Sequence, residues 1–181
     1  MPVHSHTNTK IPEGVRSLVE HSTIALTLVD AASPDHALVV ANAPFLRMIG
    51  YQEDEVIGRN CRFLQPFGGA GPVRERIRSF LSDDDQETDK FVIPNVTRNG
   101  TPFLNLVYMT KLRSEGIAKL ILGAKFPIAR NDDGDAELYD KALNEDVRQL
   151  NLLTSERNCV VLGSYDALAS SHALIAQMRM E

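Results

Sequence analysis

Cys61 sits between Asn60 and Arg62, and its thiol is a side chain able to do covalent chemistry. A thiol with an ordinary pKa of about 8.5 keeps its proton at neutral pH, so Cys61 is a latent nucleophile. Taken alone, one Cys in an apolar setting is an ordinary core residue. Its neighbours add chemistry. Arg62 follows directly and Arg78 comes 16 residues later, on two successive helical segments. Guanidinium groups present phosphate with a planar fork. Leu64 lies three residues after Cys61 and shares its side of a helical turn, while Asn60 and Gln65 flank that turn with amides. Two further amides, Asn95 and Asn105, fall on neighbouring strands, and Lys125 falls on a third. Cys159 lies in an apolar run and reads as packing. His4, His6, His21, His36 and His172 have no ligand spacing, so no metal is expected. No G-x-G-x-x-G fingerprint for a nicotinamide cofactor is present.

The elements that must position these residues follow from periodicity and turn residues. Residues 13–22 predict a short amphipathic helix, and 23–30 and 37–41 predict two strands. Short helical pieces follow at 44–50, 52–56 and 61–65, then a longer helix at 72–81 with Val73, Ile77 and Phe80 in phase. Residues 88–97, 101–112 and 117–127 read as a meander, with turns at Arg98-Asn99-Gly100 and Ser114-Glu115-Gly116. This pattern predicts an α+β fold: a five-stranded antiparallel sheet with short helices on one face. Beyond a hinge at 131–135, residues 136–154 carry a narrow stripe of Tyr139, Leu143, Val147, Leu150 and Leu153, and 164–179 form a last helix. The expected organisation is an N-terminal arm and helix (1–22), a core (23–129) and a C-terminal helical extension (130–181).

The chain has 181 residues, a net charge of −5, 43% hydrophobic residues and no Trp. That suits one globular domain with extensions and rules out wholesale disorder. No apolar stretch is long enough for a membrane span, and the start shows no secretory h-region. Two widely separated Cys fit a reducing cytoplasm. Residues 130–181 hold 10 acidic and 5 basic side chains, so the whole negative excess lies there. A nucleic-acid surface needs the opposite sign, so no nucleic-acid partner is expected.

The octapeptide Gly58-Arg59-Asn60-Cys61-Arg62-Phe63-Leu64-Gln65 resembles the signature of LOV (light-oxygen-voltage) domains, flavin-binding blue-light sensors of the PAS fold family. The stretch at 42–58 resembles the family too, and the likeness covers about residues 20–129. The resemblance implies a flavin mononucleotide (FMN) held against the inner sheet face. It also implies a reversible bond between the Cys61 sulfur and ring carbon C4a after blue light, which is a switch rather than enzymatic turnover. It makes Arg62 and Arg78 the phosphate ligands, Asn60 and Gln65 the ribityl partners, and Asn95 and Asn105 the partners of the ring's polar edge. No insertion separates Cys61 from Arg78, which favours FMN over an adenine-bearing flavin.

Geometry adds expectations. A two-residue turn on Asn99-Gly100 would send Asn95 and Asn105 to opposite faces, so a one-residue shift is expected that sets them directly across from each other. The next hairpin is expected to place Lys125 across from Asn105, with Val107 and Met109 on the same face as apolar cover. Lys125 departs from the family, which usually has Gln there. An ammonium can only donate, so an amide flip cannot operate. Lys125 is expected either to lose pKa through burial, or to snorkel out, or to leave signalling to another route; donation to the flavin carbonyl O4 in the dark is the favoured role. The helical extensions suggest a homodimer, with an unidentified downstream protein partner and no membrane. The alternatives are a light-insensitive flavin redox or ligand-sensing PAS module, a flavoenzyme and a light-gated DNA binder.

Overall fold

A computed structural model describes residues 9–128. The elements run α1 (Glu13–His21), β1 (Ala25–Asp30), β2 (Leu38–Ala41), α2 (Ala43–Ile49), α3 (Glu53–Val56), a 3-10 turn (Cys61–Leu64), α4 (Val73–Ser82), β3 (Thr88–Val96), β4 (Pro102–Ser114) and β5 (Ile117–Ile128). The strands form one antiparallel sheet in the order β2-β1-β5-β4-β3. The extension expected at 130–181 lies outside the described residues.

Alternation along the strands divides the sheet into two faces. The outer face carries Leu26, Leu28, Leu112, Leu120 and Leu122, and α1 covers part of it with Val15 and Val19. The inner face receives the segments inserted between β2 and β3. One apolar cluster joins α2, α3 and the 3-10 turn to the sheet through Phe45, Ile49, Val56 and Leu64. A second joins α4 to β3 and β4 through Val73, Phe80, Phe91 and Val107. So α2, α3, the turn and α4 share one face, and α1 alone of the described helices takes the other.

Two buried polar side chains fasten helices to the sheet. Asn42 caps α2 by accepting from Phe45 N at 3.1 Å, accepts from Leu26 N at 3.0 Å, and donates to Val19 O at 3.0 Å and Ile24 O at 2.7 Å. One side chain thus ties the end of α1, the start of β1 and the start of α2. Lys111 on β4 donates to Phe80 O at 2.6 Å and Asp83 O at 2.5 Å, satisfying carbonyls at the end of α4.

The hairpin registers differ from expectation. Residues 97–101 join β3 to β4, and the Thr97–Thr101 pair leaves three at the tip: Gly100 N donates to Thr97 O and Thr97 N to Thr101 O, both at 2.9 Å, with Gly100 at φ +86°. This turn closed by a left-handed glycine moves the pairing so that Asn95 faces Phe103 and Asn105 faces Ile93. The two amides share a face, as expected, but meet diagonally rather than directly across. In the β4–β5 hairpin a register irregularity between Leu112 and Arg113 shifts the ladder, so Lys125 pairs with Val107 and Asn105 with Pro127. The shift keeps Lys125 on the inner face while moving it away from the position opposite Asn105.

Candidate functional site

Between the two inner clusters lies a cavity of about 770 Å³ counted with the open space at its mouth. Its helical wall is built by the 3-10 turn. Asn60 caps that turn by accepting from Arg62 N at 2.9 Å and is itself held by donating to Asp35 O at 2.5 Å. In a 3-10 turn, residues three apart eclipse each other. Cys61 and Leu64 therefore face the cavity together. Cys61 is half-buried, and burial pushes its thiol pKa above the ordinary value while the nearby Lys125 charge pulls it back down. The thiol is the form this wall favours at neutral pH.

The sheet wall carries the amides. Asn105 Nδ2 donates to Asn95 Oδ1 at 2.8 Å, and Asn95 Nδ2 donates to Pro94 O at 2.9 Å. Asn105 Oδ1 is buried with no hydrogen-bond partner. A buried orphan acceptor costs free energy until it meets a donor, so this oxygen specifies a ligand N–H or O–H. Val107 and Met109 extend the same wall with apolar surface, joined by Ile93 and Ile121.

At the mouth, Arg62 forms an ion pair with Asp35, and Arg78 pairs with Glu75 at 2.8 Å; all four side chains are more than half exposed. Exposed pairs of this kind contribute little, so either guanidinium can exchange its carboxylate for a ligand phosphate. Asn60, Arg62 and Gln65 line both cavity and mouth, whereas Arg78 lines the mouth alone. Arg74, on the same helix as Arg76 and Arg78, also lines the mouth. Arg76 points elsewhere, donating to Lys90 O at 3.0 Å and standing over the Phe91 ring. The three arginines therefore do not share one face.

Lys125 lines the cavity and is only 5% exposed, which excludes the snorkelling expectation. Nζ donates to Thr27 Oγ1 and, at 3.3 Å, to Gly123 O. Burial pulls its pKa down from 10.5, while the Cys61 charge opposes that shift.

The structure brings all ten of the other candidate residues to one cavity with Cys61, save that Arg78 stands at its mouth. It adds Thr27, His36 and Gly123, which sequence reasoning missed. Thr27 reaches the site only because β1 pairs with β5, a contact 98 residues apart in sequence at Lys125. His36, at φ +48°, was weighed in the sequence only as a metal ligand. Among the described residues, no group of three His, Cys, Asp or Glu side chains could hold a metal ion.

The PAS domain family profile matches residues 25–124. The Rhodobacter sphaeroides LOV protein structure superposes with a TM-score of 0.61 at 36% identity, over 67% of this chain and 69% of that one. The chain belongs to the LOV branch of the PAS family. Among curated LOV relatives, the blue light receptor lreA of Aspergillus flavus is 33% identical over 122 residues, covering 61% of this chain and 14% of that protein. Phototropin-1A of Oryza sativa subsp. japonica is 28% identical over 148 residues, covering 77% of this chain and 16% of that protein. The LOV chain thus spans about a sixth of these relatives' length. No described helix of this LOV domain is long and apolar enough to cross a membrane.

Proposed function

We propose that this LOV domain is the sensory unit of a blue-light receptor, with FMN in the cavity and Cys61 as the photoactive thiol. The observation that carries the reading is a thiol on the helical wall of a cavity whose sheet wall presents a buried, unpartnered amide oxygen. A flavin ring suits that cavity. Its polar edge supplies the donor that Asn105 Oδ1 needs, and its apolar body suits Leu64, Val107 and Met109. Bound flavin supplies blue-light absorption and, once excited, a ring carbon that takes up a thiol reversibly.

The chain's own residues do the rest. Asn95 and Asn105 orient the ring edge. Asn60 and Gln65 bind the ribityl hydroxyls. Arg62 and Arg78 trade their carboxylates for the phosphate, and this favours FMN over riboflavin. Cys61 would supply the thiol sulfur and its proton to the bound flavin, and would take the proton back in the dark. Lys125, held by Thr27 in the cavity lining, would donate a hydrogen bond to a carbonyl of the bound flavin. The core at 23–129 senses light without turning over substrate. Output passes through the segment at 130–181, by homodimer contacts or a downstream protein, with neither nucleic acid nor membrane as partner. A thiol that must stay reduced suits the cytoplasm.

The test is an absorption spectrum of the purified protein before and after blue light. A flavin band that bleaches and recovers, and that no longer bleaches in Cys61→Ala, is the expected result. A flavin band indifferent to light would make this a redox or ligand-sensing PAS module instead. A colourless protein with no affinity for FMN would overturn the reading altogether.

A further inference from the structure

Besides Asn105 Oδ1, a second buried side-chain atom among the described residues has no hydrogen-bond partner: His36 Nδ1. A buried polar atom left unpaired costs free energy until a partner reaches it. His36 stands where a ligand can supply that partner, because it lines both the cavity and its mouth.

The position of this imidazole is built, not incidental. His36 lies in the β1–β2 connection at φ +48°, a left-handed conformation that His tolerates better than most residues. Its backbone N–H donates to Ser33 O at 3.0 Å. Just before it, Asp35 O accepts from Asn60 Nδ2 at 2.5 Å and the Asp35 carboxylate pairs with Arg62. Just after it, Leu38 N donates to Arg59 O and Leu38 O accepts from Gly58 N, both at 2.8 Å. The connection is thus fastened on both sides of His36 to the segment that leads into the Cys61 turn.

The surroundings narrow the ligand group. The sheet wall offers Asn95 and Asn105, and the mouth offers Arg62 and Arg78. Asn60 and Gln65 share with His36 the position that borders both cavity and mouth. Asn60 spends its oxygen on Arg62 N and its amide on Asp35 O, so part of its capacity is used in holding this wall together. A neutral imidazole nitrogen donates or accepts according to tautomer. A hydroxyl can do either, so it partners Nδ1 in both tautomers, whereas a carbonyl or phosphate oxygen can only accept.

We propose that His36 is a ligand-binding residue of this site, its ring nitrogen hydrogen-bonded to a hydroxyl of the chain that joins the flavin ring to its phosphate. The proposal rests on the flavin reading and adds to it a contact from the β1–β2 connection. Asn60 is then a positioning residue as well, since its bond to Asp35 O holds the connection that carries His36.

The experiment is a fluorescence-quenching titration of the full chain, freed of bound flavin, with FMN, riboflavin and lumiflavin; the last has a methyl group in place of the hydroxyl-bearing chain. His36→Phe keeps the bulk of the ring and removes both nitrogens. It should weaken FMN and riboflavin alike, by about fivefold to tenfold, the size of one hydrogen bond between neutral groups. Lumiflavin binding should stay within about twofold. His36→Gly suits the left-handed backbone and should show the same pattern. His36→Asn keeps a donor and an acceptor and should hold riboflavin within about threefold of the original protein. Circular dichroism verifies that each variant is folded. Folded Phe and Gly variants that bind FMN and riboflavin as tightly as the original protein would overturn the proposal. So would variants that weaken lumiflavin equally, which marks a reshaped cavity, or FMN without riboflavin, which marks a phosphate contact. An original protein that bound none of the three would sink the flavin reading and this proposal with it, whereas failure confined to the His36 variants would leave that reading standing.

Discussion

Asn105 and the mouth arginines each make a quantitative demand. The orphaned Asn105 Oδ1 is already desolvated in the folded domain, so a flavin donor reaching it gains a bond without a further burial cost. Asn105→Leu should weaken flavin binding by about 1–3 kcal/mol, roughly fivefold to 150-fold, in a fluorescence-quenching titration. The arginines should act on phosphate alone. Arg62→Ala and Arg78→Ala together should bring FMN affinity down to that of riboflavin, since each charge-assisted bond contributes about 1.5–3 kcal/mol. Riboflavin affinity itself should stay within about twofold. Lys125 adds a pH dependence. Its folded pKa is lowered from 10.5, so between the folded value and the unfolded one the unfolded chain binds more protons, and stability rises with pH. Below the folded value the full cost of burying the charge remains. Lys125→Met should therefore raise the melting temperature at neutral pH and flatten its climb under alkaline conditions.

At the scale of elements, Asn42 is the joint on which the helices hang. Removing it takes the side-chain partner from Leu26 N–H and Ile24 O, leaves Val19 O with Ser22 N alone at 3.4 Å, and uncaps α2. Asn42→Ala should cost about 2–4 kcal/mol in urea unfolding, and Asn42→Asp, which keeps the acceptor, noticeably less. The elements themselves were legible because turn residues and periodicity are local: within the described residues, the predicted strands and helices lie within about two residues of the observed ends. The eight residues from Gly58 to Gln65 likewise announced the site, since the 3-10 turn is built from its own neighbours. Registers were less legible. The choice of three loop residues over two at Arg98–Gly100 decides what Asn95 faces, and the irregularity at Leu112/Arg113 decides what Lys125 faces. Neither has a distinctive composition. The Thr27–Lys125 contact depends on β1 pairing with β5, a non-local event that no window of sequence contains. The placement of α1 on the outer face depends on which face the other helices had taken.

For the molecule as a whole, light can change output only if the Cys61 bond interacts differently with two arrangements of the chain. Lys125 lies on β5, the strand that leads directly toward residue 130, so a change at the cavity is one strand away from the acidic extension. Size-exclusion chromatography of the full chain in dark and under blue light should show a shift in elution volume that reverses in the dark and is absent in Cys61→Ala. An unchanged volume at all concentrations would remove the homodimer from the account and leave a downstream protein as the receiver. The central claim, that Cys61 is consumed by light in this cavity, is tested most directly by infrared difference spectroscopy of the thiol. Blue light should remove the Cys61 S–H stretching band, darkness should restore it, and Cys61→Ser should show no such band; an S–H band from Cys61 that persists through illumination while the flavin absorbs would contradict the account.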